Sequence, residues 1–205
     1  MSIFVAIPCM DMLHTAFFRS VIGMHVVDNV RFGTSCSSLI YDARNALVNQ
    51  AIDEGHDRIL WLDSDMIFEP DLMELMAADL DDGLDYVCGL FFKRKPPFTP
   101  CIFKEAGYVP EGEQLKPFVE FYEDYPKDQI FEVKASGFGA VMMKTEAAKK
   151  VRNKYGVPFS PLIGFGEDLS FCLKMRELGY KLHCDSRIKV KHIANVAIDE
   201  SGVCI

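Results

Sequence analysis

Asp63 and Asp65 stand one residue apart, directly behind the apolar run Ile59-Leu60-Trp61-Leu62. Two carboxylates so placed offer hard oxygen ligands suited to Mg2+ or Mn2+. A divalent ion there would neutralise a diphosphate and stabilise it as a leaving group. The competing reading makes both aspartates caps of a turn. The preceding buried-strand pattern favours the metal. In Ile188-x-Val190-x-His192 the histidine shares the apolar face, with Arg187, Lys189 and Lys191 opposite. An inward histidine is either a hydrogen-bonded core residue or a ligand, and two carboxylates lacking a third partner favour the ligand.

Glu167-Asp168 follows Gly164-Phe165-Gly166 at a predicted helix start. Such carboxylates cap a helix and complement its dipole. The functional reading makes Asp168 a general base for an acceptor hydroxyl. The helix start lowers its pKa, so a working base needs compensating burial. Arg44 falls off the strongest apolar stripe of its helix, where it is either solvated or paired with a diphosphate. Lys93-Arg94-Lys95 reads as a surface loop, within reach of donor or acceptor.

The elements that must carry these residues alternate in type. Ile3–Ile7 reads as a buried strand ended by Pro8, followed by a helix over Met12–Met24 and a Gly/Ser loop over Asp28–Ser38. Leu39–Glu54 keeps helical apolar spacing, with Gly55 at the C-cap position. Arg58–Leu62 then delivers Asp63 at the end of a parallel strand, the edge where open α/β sheets bind ligands. Pro70 and Asp71 open a helix, and Tyr86–Leu90 is the next strand. The segment 93–128, with six prolines between aromatics, is expected to be irregular with short antiparallel strands, as a lid or acceptor-facing surface. Glu132–Lys144 reads as a strand interrupted at Gly137-Phe138-Gly139, where backbone bulges or approaches a ligand. Helices over Thr145–Tyr155 and Asp168–Leu178 and a strand over Arg187–Ile193 complete the pattern. The implied fold class is α/β: right-handed βαβ units on a mostly parallel, Rossmann-like sheet with helices on both faces.

Bulk properties agree. The 205 residues suit one domain, 49% hydrophobic and 25% charged. The net charge of −8 argues against broad nucleic-acid binding. It also means that a phosphate-bearing ligand needs a metal or a few placed cations. Seven scattered cysteines show no zinc spacing and read as free thiols. There is no basic, long-cored leader and no run near the ~20 apolar residues of a membrane span, so a cytoplasmic protein is expected.

Taken in order, Ile7-Pro8, Ala43-Arg44-Asn45, Leu60–Met66, Gly137–Ala140, Gly166-Glu167-Asp168-x-x-Phe171-Cys172, Gly179-Tyr180-Lys181 and His192 resemble the GT-A glycosyltransferases. The likeness is greatest to compact family-2-like members of phage and bacterial genomes, and it runs from Ser2 to Ile193. It implies one GT-A domain, with a nucleotide-binding half over about 1–92 and an acceptor-binding half over about 93–205. The implied activity is inverting hexosyl transfer from a nucleotide diphosphate sugar, a UDP-sugar favoured, to a carbohydrate or other hydroxyl acceptor. By the same resemblance Asp65 binds the metal, while Asp63 faces the ribose or the metal's outer shell. His192 completes the metal shell, Pro8 lines the nucleotide pocket, Asp168 is the base and Glu167 stands beside it. The chain ends soon after His192, which implies no acceptor-binding extension.

Two other classes compete. A haloacid dehalogenase-like phosphatase also places Asp-x-Asp after a strand, although Ile67 is a poor match for its next position. A non-catalytic nucleotide-sugar-binding module would be expected to have lost one of Asp63, Asp65, Asp168 and His192. A nucleotidyltransferase ranks last, because Pro8-Cys9-Met10-Asp11 has neither glycine nor lysine.

Overall fold

Continuous apolar runs become the strands that are buried on both faces of one sheet, as a parallel sheet between helix layers requires. The computed structural model describes residues 1–27, 29–195, 197–199 and 202–204. The first half contains β1 (Ser2–Cys9), α1 (Thr15–Gly23), β2 (Asn29–Cys36), α2 (Ile40–Asp53), β3 (Arg58–Leu62), β4 (Met66–Ile67), α3 (Leu72–Asp81) and β5 (Tyr86–Leu90). Next come β6 (Ile102–Glu111), β7 (Gln114–Phe121), β8 (Ile130–Val133), β9 (Ala135–Ser136) and β10 (Ala140–Lys144). After them follow α4 (Thr145–Tyr155), α5 (Glu167–Glu177), β11 (Leu182–Lys189), β12 (Lys191–His192), β13 (Ala197–Asp199) and β14 (Gly202–Cys204).

Seven strands form the central sheet in the order β2-β1-β3-β10-β5-β11-β8. Five run the same way, and β10 and β8 run against them. Side chains alternate along each strand, so Phe4, Ala6, Ile59 and Trp61 pack on α2, α4 and α5. Ile3, Val5, Leu60 and Leu62 face α1 and α3 on the other side. The sheet is thus mostly parallel, with helices on both faces. No helix among the described residues is long and apolar enough to cross a membrane.

Four regions depart from the sequence reading. The segment expected to be a loop over 28–38 contains β2, an edge strand pairing with β1 over eight residues; Asp28 lies outside the described residues. Most β2 side chains are exposed, so no apolar alternation announces the strand, and its backbone ladder forms it instead. Gly33 is its buried position, where a Cβ would run into the Phe4 ring. The segment expected to be irregular holds a ten-residue strand, β6, paired with β7 through a two-residue turn at Gly112-Glu113. Pro110 and Pro117 sit inside these strands, Pro117 on the edge strand and Pro110 beyond the two residues of β6 that β9 pairs, where an open ladder edge tolerates proline. The strand expected over Glu132–Lys144 is broken at 137–139 as expected, but a second gap at Lys134 makes it three pieces, β8, β9 and β10, each in different company. The expected strand over Arg187–Ile193 breaks at Val190, whose N–H donates to Leu90 O, and resumes as β12.

Candidate active site

The apolar run of β3 ends at Leu62, and the next residue leaves the sheet at its C-terminal edge. Asp63 N–H donates to Gly139 O at 3.0 Å, and Met66 N–H closes a turn on Asp63 O at 3.2 Å. That turn sends Met66–Ile67 away as β4, whose antiparallel partner is β12. The pairing of Met66 with His192, and a bond from Ile193 N–H to Asp65 O at 2.8 Å, hold His192 beside Asp65. The glycines at 137 and 139 make a close approach, as expected, but to protein side chains. A Cβ at Gly139 would collide with Met66 and one at Gly137 would lie 2.9 Å from Phe91.

A cleft of about 400 Å³ opens here, lined by Pro8, Met10, Ser38, Arg44, Asp63, Asp65, Arg94, Glu167 and Asp168 among others. The structure therefore brings together six of the seven residues singled out from sequence. His192 stands just outside the cleft, with Nε2 3.3 Å from Asp65 Oδ2.

Arg44 is almost fully buried, where the sequence left it solvated or facing a diphosphate. Its Nη2 donates to both oxygens of Asp63 at 2.9 and 3.1 Å, and its Nε to Glu167 Oε1 at 3.2 Å. The guanidinium also lies over the Phe138 ring, 5.2 Å from its centroid. Burial disfavours the cation, but the charges of Asp63, Glu167 and Asp168 outweigh it and raise the Arg44 pKa. Nη1 is buried without a hydrogen-bond partner among the described residues. Arg44 is thus a strut joining α2, β3 and α5. The helical pattern alone could not reveal this, because its partners come from distant parts of the chain.

Asp168 occupies the first turn of α5, and its Oδ1 accepts the Leu169 N–H at 2.7 Å. Burial and then the charge of Glu167 raise its carboxyl to about 6, against the downward pull of that N–H and of Arg44. The compensating burial that a base at a helix start requires is present. The loop leading into α5 is held by Ser170 Oγ, which accepts the Leu162 N–H at 2.8 Å and donates to Gly166 O at 2.6 Å. Lys174, buried on α5, donates to Pro158 O, Ser160 O and Ser160 Oγ at 2.7 to 2.9 Å. The β6–β7 hairpin packs on the same loop. Tyr108 OH donates to Ile163 O at 2.8 Å, and Gly164, at φ +82°, fits against Pro117 where a side chain could not.

Asp65 has different company. Its Oδ2 accepts from Arg94 Nη1 at 2.9 Å and faces His192 Nε2. Burial opposes the Asp65 charge, but His192 and then Arg94 outweigh it and hold its carboxyl below the ordinary value. His192 Nδ1 lies 2.8 Å from Phe92 O, so Nδ1 is the proton donor. In a neutral ring Nε2 then carries a lone pair aimed at a carboxylate oxygen. Two acceptors at that spacing need a proton or a metal cation between them, and the Nδ1 bond to Phe92 O fixes the ring orientation, as such a bond does for metal-bound histidines. Either a proton, whose hydrogen bond the lowered Asp65 carboxyl reflects, or a divalent cation meets that need, and Asp65 and His192 would be two of the cation's ligands. Among the described residues no three His, Cys, Asp or Glu side chains converge as a complete cage, because Asp63 is turned to Arg44.

Sequence reasoning passed over Ser37, Ser38 and the Cys9–Cys36 thiol pair, whose sulfurs lie 3.5 Å apart at the lip of the cleft. Their one signal was the serine cluster after β2. Arg94 was visible only as part of a basic loop.

No protein-family model matches the chain, and no curated protein matches its sequence significantly. Solved structures do match. A197 from STIV superposes with a TM-score of 0.67 at 17% identity, covering 98% of this chain and 91% of that one. GalNAc-T7 with UDP, GalNAc and Mn2+ gives 0.61 at 13% identity, over 95% of this chain and 43% of that one. S. aureus TarS 1-349 gives 0.57 at 14% identity, over 94% and 60%. The chain therefore spans less than half of the GalNAc-T7 chain. Its architecture is the GT-A type of α/β fold.

Proposed function

We propose that the chain is a glycosyltransferase that moves a hexosyl group from a nucleotide diphosphate sugar, UDP-linked by preference, to a hydroxyl-bearing acceptor with inversion. The observation that carries this reading is that Asp65 and Asp168 line one cleft at the C-terminal edge of the sheet, with His192 beside Asp65 just outside it. One structure of the same fold is described with UDP and Mn2+, which supports the donor class and the metal.

In this reading Pro8 and the Ser37-Ser38 turn border the nucleoside, and Asp65 and His192 hold Mn2+ or Mg2+. The bound ion supplies charge neutralisation of the leaving diphosphate. Asp63, fixed by Arg44, faces the ribose or a metal-bound water. Asp168 takes the acceptor proton, with its carboxyl at about 6 so that it is ionised yet basic at neutral pH. Glu167 orients Arg44 and borders the acceptor. The half from residue 93 onward is read as acceptor-facing, because the β6–β7 hairpin packs on the loop that leads into α5, whose first turn carries Asp168.

The phosphatase reading loses support at Asp63. A nucleophilic aspartate needs an oxygen free for in-line attack, and both of these accept from Arg44. The test is release of nucleoside diphosphate from UDP-, GDP-, CDP- and dTDP-sugars with Mn2+, using wild type and Asp168→Asn. One donor class should turn over in the wild type and stall in the variant. Aryl phosphate hydrolysis without any sugar-nucleotide turnover would move the assignment to a phosphatase. Nucleotide binding without turnover of any donor would favour the non-catalytic module.

A further inference from the structure

The same oxygen of Asp65 that faces His192 is held by an exposed arginine. Arg94 is 56% exposed against 21% for Asp65, and it has no other ion-pair partner among the described residues. It belongs to a tongue between β5 and β6. The base of that tongue is tied by the Phe92–Pro100 bridge and by Lys93 N–H donating to Thr99 O at 2.9 Å. Arg94 can therefore change partners by side-chain rotation, with the backbone in place. It also stands on the wall between the Asp63–Asp65 cleft and a second cavity of about 480 Å³, lined by Lys93, Lys95, Cys101, His192 and Asn195.

We propose that Arg94 holds the cation's place on Asp65 in the free protein and turns to the diphosphate when metal and nucleotide arrive together. The inference rests on the donor reading given above. Its physical basis is charge bookkeeping at one oxygen. A divalent ion bound to Asp65 would put two positive centres within a few ångströms, an arrangement that costs free energy even in a partly solvated site. The guanidinium must then leave, and its nearest new anion is the diphosphate delivered with the metal. Arg44 cannot do that work, being committed to Asp63 and Glu167. Lys93 is drawn aside over the Phe121 ring, 3.8 Å from its centroid. Arg94, with its fork suited to phosphate oxygens, is the cation at hand, and Lys95 is beside it without a carboxylate partner among the described residues.

The consequence is a pair of effects of opposite sign. In Arg94→Ala, Mn2+ alone should bind about two- to fivefold tighter, the scale of an exposed ion pair released. UDP in the presence of saturating Mn2+ should bind about tenfold weaker, the scale of a charged hydrogen bond lost. Free Mn2+ read by its electron paramagnetic resonance signal gives the first quantity and titration calorimetry with UDP the second. Arg94→Lys keeps the charge and should shift both less. If Arg94→Ala changes neither affinity, or moves both in the same direction, the exchange is wrong while Mn2+-dependent UDP binding by the wild type still upholds the donor reading. If the wild type binds no UDP with Mn2+, the donor reading falls and this inference with it.

Discussion

The two aspartates of one short motif are about equally accessible, at 25% and 21%, but the arginines paired with them are not, Arg44 being buried and Arg94 exposed, and this gives their walls opposite character. Asp63 belongs to a dry wall, where Arg44 joins it to Glu167 and aromatic rings cover the guanidinium. Asp65 belongs to a wet wall, where an exposed arginine and a half-buried histidine share one of its oxygens. The buried pair cannot lose a partner without stranding charge in a poorly solvated place, whereas the exposed pair can exchange partners at little cost. The dry wall is thus the one that holds its shape, and the wet wall is where the proposed donor site would exchange one cation for another.

The largest effect that would break this division is on turnover. Asp168→Asn, on the rigid wall, should cut transfer by roughly 10²–10⁴-fold while leaving UDP and Mn2+ affinity intact. The wild-type rate should fall as pH drops through about 6, because the raised carboxyl then takes up its proton. A variant with full turnover would remove Asp168 as the base.

Next is stability. Arg44→Met leaves Asp63 and Glu167 facing each other without their cation, at a cost of about 3 kcal/mol, or a Tm lower by roughly 6–12 °C. Arg94→Ala should stay within about 0.5 kcal/mol of wild type. Equal losses in thermal melts of the two variants would erase the distinction between the walls. Lys174→Met deprives Pro158 O and Ser160 O of their buried donor and should cost about 2 kcal/mol in urea titrations. UDP affinity should not change, since Lys174 supports the loop before α5 from behind.

The smallest effect lies away from both walls. Asp79 is buried near Asp185, and burial and then that second carboxylate raise it from about 3.8 to about 6. The folded protein holds this proton at pH values where the unfolded chain has released it, so stability falls as pH rises from about 4 to about 6. Asp79→Asn removes that term, and its stability should fall by on the order of 1 kcal/mol less than the wild type's across this window. Identical pH profiles in denaturant titrations would show that Asp79 is ionised when folded.

The legibility of these parts follows from where their signals lie. β3 and the start of α5 were readable because an apolar run ending in aspartates and a glycine-led carboxylate pair are local patterns. The burial of Arg44 was hidden, since its carboxylate partners lie 19 and 123 residues away. β2 was missed because an edge strand with exposed side chains has no alternation to read. The β6–β7 hairpin was obscured by prolines that its open edges tolerate. His192 was found on a periodicity that the chain interrupts at Val190. A two-residue pairing with β4, rather than a continuous strand, brings it to Asp65.

The most direct test of the central claim is a thermal-shift panel of UDP, GDP, CDP and dTDP, each with and without Mn2+, on wild type and Asp65→Ala. A ligand that binds only the folded state raises its Tm with occupancy, so no acceptor is needed. A rise with one nucleotide that requires Mn2+ and vanishes in Asp65→Ala is the predicted result. No rise with any nucleotide, or one that persists in Asp65→Ala, would contradict a metal-held donor at this cleft.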